Sequence, residues 1–343
     1  MVGLKLSDNY SKALGPPSEI ERYRRVFGTA GIANVPLVAY LEALKSQGND
    51  ADLYYNLALA QANGKQFDAG LQSIDKAITL RPNETAFTEL KKRIADFKDN
   101  ETLGNAQSVL NDGDKLFKAA DYPNALAKYQ EALKMIPDEK KSQQAVVLDQ
   151  IAKTEAELKQ GDSAIATWQK AIDAVEADSA YKDALGKLAE CRKANQGSAS
   201  DKCAAPQQEV TKYATRADMY RNDQAQFFIK EKKYDQAIDL YEKTFSDPNA
   251  AGNQPMDQSL FNLGQKLSNQ DASEVAQLAF ERAIKVNPQN AEAYYELGML
   301  LYQGKKADKQ AVDMLSKYLE LGKDTAHKEN AQNVLVVLKR RMK

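Results

Sequence analysis

The chain has a single histidine, two cysteines and one tryptophan in 343 residues. Metal centres and acid–base dyads are built from clusters of side chains, and one histidine, His327, cannot supply one. It reads as a polar residue near the C-terminal end. No apolar run approaches the roughly 18 residues of a membrane-spanning helix. The opening "MVGLKLSDNYSKALGPP" lacks the apolar stretch of an export signal. The expected compartment is therefore cytoplasmic by default, and periplasmic or secreted if a signal has been removed. Neither sign of charge is in excess, with 47 Lys and Arg against 48 Asp and Glu. That balance argues against nucleic acid or a polybasic membrane contact. Gly-rich phosphate loops are missing too. "LGQKLS" and "GKKADKQ" lack the flanking strand and the spacing such loops need. Carboxylate pairs are plentiful, but on amphipathic helices they read as solvated faces. No catalytic constellation emerges, no cofactor is expected, and the chain is expected not to be an enzyme.

β-Branched alternation is almost absent, so no strand is expected and the fold class is all-α. Hydrophobic residues make up 43% of the chain, enough for a sizeable core. In "LAFERAIKVNPQNAEAYYELGML", 278–300, apolar residues recur at spacings of three and four on both sides of Pro288. The offsets repeat. Counting back from Pro288 gives Ala283, Phe280, Ala276, Gly264 and Leu263. Counting back from Pro137 gives Ala132, Tyr129, Ala125 and Gly113, and from Pro82 gives Ala77, Ile74, Gly70, Ala58 and Leu57. Small residues at fixed places let two helices approach closely, and aromatics fill the space beside them. Gly264 and Ala276 are expected to face each other at such a contact.

This pattern resembles the tetratricopeptide repeat, a two-helix unit of about 34 residues. The best units are 51–84, 106–139, 257–290 and 291–324, the last with one extra residue in its turn. Weaker units lie at 145–178, from about 218, and at 17–48, where Pro36 stands at a small-residue position. In the unit from 218, Thr244 replaces the usual alanine. The resemblance implies a right-handed superhelical solenoid of about six to eight repeats with a C-terminal capping helix. The expected organisation is an arm at 1–16, an N-terminal array at 17–195, a linker at 196–210, a C-terminal array at 211–324, and a cap with a basic tail at 325–343.

The resemblance also implies a protein-interaction role through a concave groove lined by the first helix of each repeat. Its positions carry over to Tyr55 and Asn56, Asn111 and Asp114, Gln150, Asn222, Phe261 and Asn262, and Tyr295 and Glu296. Amides there can pair with both donors and acceptors of an extended peptide. The aromatics Tyr55, Phe261 and Tyr295 would act as anchors. Asp114, Asp149, Asp223 and Glu296 would favour a neutral to basic protein or peptide partner. The basic residues that capture a terminal carboxylate in some arrays are missing from these slots. The alternative is a structural component that self-associates or packs into a larger complex.

Cys191 and Cys203 are too widely spaced for a metal knuckle. They are either two unrelated thiols or a disulfide across the linker, the latter stabilising by about 3 kcal/mol and requiring an oxidising compartment.

Overall fold

The computed structural model describes residues 37–46, 49–195, 201–246, 255–270, 272–305 and 307–342. The expected arm and most of the expected first repeat lie outside them. The described residues are all-α, with fifteen α-helices and no strand. The chain divides into two compact units, 1–108 and 109–343.

In the first unit, α1 (Leu37–Ser46), α2 (Ala51–Asn63) and α3 (Phe67–Leu80) precede the start of α4 (Thr85–Lys118). Ala58, Ile74 and Ala77 are fully buried, and Phe87, Leu90 and Ile94 of α4 close the core over them. Asp50 caps α2 by accepting from the Asp52 and Leu53 amides, satisfying donors a helix start leaves open.

The second unit continues through α5 (Tyr122–Met135), α6 (Lys141–Glu157), α7 (Gly161–Ala177), α8 (Ser179–Ala194) and α9 (Ala204–Lys230). It ends with α10 (Tyr234–Ser246), α11 (Met256–Ser268), α12 (Ser273–Val286), α13 (Ala291–Gly304), α14 (Asp308–Leu321) and α15 (Thr325–Arg341). The pairs α6–α7, α9–α10, α11–α12 and α13–α14 pack as hairpins, and α15 packs on the last of them. The alanines Ala132, Ala171 and Ala283 have no exposed surface.

Four hairpin turns share one device. Lys65, Ala120, Lys159 and Lys232 have positive φ. The amide after each bonds a carbonyl five residues back: Gln66 to Gln61, Asp121 to Leu116, Gln160 to Glu155 and Lys233 to Phe228. This is the helix-ending loop usually built on glycine, here made by lysine or alanine. Another junction is held by Asp178, which caps α8 through the Ala180 and Tyr181 amides and accepts from the Ser142 amide and hydroxyl at the start of α6. Burial works to raise its carboxyl pKa, but these bonds outweigh it and hold the value below the ordinary carboxylate range.

Two expectations gain detail from the structure. The atoms nearest to a side chain placed at Gly264 are those of Phe280. A methyl group there would lie 2.5 Å from the Phe280 ring, whose atoms are the three nearest. The small residue on the first helix makes room for the aromatic of the second, as Gly113 does for Tyr129. The described residues of 196–210 do not form a spacer. Residues 201–203 make a 3-10 turn and α9 starts at Ala204, with Cys203 and Val210 buried against Tyr181, Ala184 and Leu188. Residues 196–200 lie outside the described part.

Candidate interaction surface

The predicted groove residues fall into three environments. Some are structural. Asn56 is buried, and among the described residues its side-chain amide nitrogen has no hydrogen-bond partner. Tyr55 is half-buried with its ring 5.3 Å from Phe87, and burial pushes its phenol up. Phe261 is buried, 6.0 Å from Phe280. Tyr295 is buried beneath the capping helix, where its hydroxyl accepts from Asn330 at 2.7 Å and its ring stacks on His327 at 4.1 Å. His327 also places Nδ1 3.2 Å from Glu292. The lone histidine therefore clamps α15 to the last repeat. Among the described residues no group of His, Cys, Asp or Glu is arranged to hold a metal ion.

Others are polar crosslinks between helices. Asp114 accepts from the Tyr129 hydroxyl at 2.8 Å, and Glu296 accepts from Gln265 at 3.0 Å. Gln150 is half-buried on α6. Its neighbour Asp149 is buried and accepts from Trp168 Nε1 at 3.0 Å and from Lys153 at 2.7 Å. Lys153 reaches Asp223 of α9 as well, at 2.8 Å. Burial pushes the Asp149 carboxyl up, against the pull of Lys153 and Trp168. Burial works to lower the Lys153 ammonium, but its bonds to the two carboxylates outweigh it and hold it above its usual range. All four carboxylates expected to form an acidic rim thus already have a donor.

This lock has a testable consequence. Lys153→Met leaves a buried carboxylate without its counterion and should cost about 2 kcal/mol near neutral pH, allowing for the lysine's partial exposure. The lost counterion raises the folded pKa of Asp149 further. The folded state then holds that proton to higher pH than the unfolded state does, so stability falls as pH rises between the two values. The deficit of the variant should therefore shrink as pH drops into the carboxylate range. A deficit in urea unfolding that is the same at neutral and acidic pH would remove Asp149 as its cause.

The third group lines an open cleft. Asn222 and Asn262 both border a cleft of about 690 Å3 between α9, α10 and α11, with Thr215, Asp218, Met219, Tyr241, Thr244, Phe245, Ser259, Leu263 and Lys266. Asn222 accepts from the Tyr241 hydroxyl at 3.1 Å, which in turn accepts from Gln226 at 2.9 Å. Asn262 is exposed and accepts from Gln258 at 3.0 Å. Asn111 is exposed on α4. Groove positions do not reveal Phe245 and Lys266. The departure at Thr244 is the sequence signal that could have found the cleft.

Residues 51–84 and 261–325 each match models of the tetratricopeptide repeat. These two segments carry tetratricopeptide repeats. It is also similar to solved structures. MamA shares 17% identity over 64% of this chain and 96% of its own, with a TM-score of 0.29. YrrB, described as a TPR protein with an unusual peptide-binding site, shares 14% over 87% and 100%, with a TM-score of 0.23. The P58(IPK) TPR domain shares 17% over 98% and 99%, with a TM-score of 0.28. Tetratricopeptide repeats generally form protein-interaction scaffolds, and this chain is one of that general kind. No described helix is long and apolar enough to cross a membrane.

Proposed function

We propose that the protein is a non-catalytic adaptor that holds an extended peptide or a segment of a partner protein against the groove-facing helices of its second unit. The observation that carries this reading is that Asn222 and Asn262, equivalent surfaces of successive repeats, border one cleft with an apolar floor. Side-chain amides at the rim can follow a peptide backbone, and the apolar floor can take side chains. A neutral to basic partner has less support, because the carboxylates of the expected acidic rim are already engaged.

The test begins with partner capture on the immobilised chain from cells of its source, followed by affinity measurement with the purified partner. Asn262→Ala should weaken binding by about 0.5–1.5 kcal/mol. Lys285→Ala, on the exposed side of α12, should leave it unchanged. Equal affinity for both variants and the parent would rule out the groove.

One observation favours self-assembly as a second reading. Val336 and Met342 near the end of α15 are 50% and 47% exposed. Light scattering after size exclusion tests it, since a scaffold that assembles through this end should exceed monomer mass at micromolar concentration and lose the excess on Val336→Lys.

A further inference from the structure

We propose that the cleft between α9 and α11 is an inter-repeat pocket that receives one apolar side chain of an extended peptide, with an acidic residue of that peptide beside Lys266. This rests on the concave-groove reading above and goes beyond it by naming the junction, the side chain and the charge.

The argument starts from one position in the repeat. Ala77, Ala132, Ala171 and Ala283 occupy it in four repeats, and none has exposed surface. There the second helix of a repeat is sealed. In the repeat made by the C-terminal part of α9 with α10, the same position is Thr244, which is half-buried and lines the cleft. The seal is open at this junction alone among those five. The volume of about 690 Å3 falls in the usual range for ligand sites, roughly 300–1,000 Å3.

The lining states what would fill it. Met219 is 59% exposed, the most open of the large apolar side chains, and faces the same space as Phe245 and Leu263. Methionine adapts to irregular partners and packs well on aromatic rings. Water is a poor occupant for such a floor, and an aliphatic or aromatic side chain is a good one. The charges are unequal. Asp218 is tied to Arg221 at 2.7 Å. Lys266 is exposed and has no ion-pair partner among the described residues. The free charge at the cleft is therefore positive, and a carboxylate beside the inserted side chain complements it.

The experiment is a display library of random short linear peptides panned on the whole chain. Enriched sequences should place an aliphatic or aromatic residue next to Asp or Glu. The best of them, synthesised with blocked ends and a fluorophore, is then titrated by anisotropy. Thr244→Trp, which fills the cleft, and Lys266→Glu should each weaken binding about tenfold or more. A peptide with Lys in place of its acid should recover binding to Lys266→Glu and lose it to the parent. Should Thr244→Trp fail to fold, the charge exchange still decides. Selected peptides that ignore both variants but weaken on Asn111→Ala would overturn the pocket and leave the groove reading standing. Panning that yields no specific binder would overturn both.

Discussion

Phe280→Ala is expected to destabilise the second unit by about 3–5 kcal/mol, the range for removing a large buried aromatic. The ring is 1% exposed and packs on α11, against Gly264 and 6.0 Å from the Phe261 ring. Its truncation leaves a void between α11 and α12, the hairpin on which α13 stacks. The reverse substitution probes the same contact. Gly264→Ala adds one methyl group 2.5 Å from the ring, closer than atoms can stand. The ring is almost wholly buried and has little room to swing away, so the two helices must shift, at about 1–3 kcal/mol. The two changes should not add. Joining Gly264→Ala to Phe280→Ala removes the group that clashes, so the double variant should be more stable than the sum of its parts predicts. Urea unfolding of the four proteins measures this. A neutral Gly264→Ala, or strict additivity, would mean that the packing at this hairpin is not as described.

This contact also shows what the sequence can and cannot disclose. Recurring Gly113, Gly264 and Gly298 identify close helix pairs, because only the absence of a side chain tolerates such an approach. They do not say which residue fills the space. Small does meet small at the equivalent positions of the first unit, where a methyl group on Gly70 would lie 3.2 Å from the Ala58 carbonyl, but these three glycines also accommodate a large side chain each: Tyr129, Phe280 and Leu315. Helix boundaries were legible because prolines and asparagines punctuate the periodic stretches. Asn290 and Asp324 accept amide bonds at the starts of α13 and α15. The punctuated stretch after α8 was visible as composition, but composition cannot tell a free spacer from residues packed into the core. That difference lies in the tertiary burial of Cys203 and Val210.

The groove was less legible than the fold. Periodicity assigns a face to a residue but not its company. Phe261 and Tyr295 face inward by spacing, yet neighbouring rings and the capping helix cover them. Asp149 looked like part of an acidic rim; Lys153 one turn along α6 and Trp168 on the facing α7 engage it, and the second of these depends on how the two helices pack. Thr244 carries the more useful lesson. A departure from a repeat pattern is weak as a statement about one residue, but it marks the junction where the packing differs.

Loss of the bond between Cys191 and Cys203 should have a comparably large effect, and a local one. The bond joins the end of α8 to the residue before α9, across a sequence separation of 12. A loop of that size stabilises by about 3 kcal/mol if the constraint acts on the unfolded chain. The contacts beside it are few: the stacked rings of Tyr181 and Tyr213 at 5.4 Å, the Arg192–Gln207 hydrogen bond at 2.7 Å, and a small core around Leu188 and Val210. Without the crosslink, α8 should open from α9 before the rest of the unit unfolds. Hydrogen exchange on Cys191→Ser/Cys203→Ser should therefore speed up in α8 and the first half of α9, and stay unchanged in α11 to α14. Cys203 is 4% exposed, so a reductant has to enter from the Cys191 side or wait for that opening. Protein made in an oxidising compartment should show no thiol when denatured without reductant, because such bonds persist there. Two thiols per chain in that titration would mean the hairpin is held by its side chains alone, and the exchange pattern of the double variant would then match that of the parent.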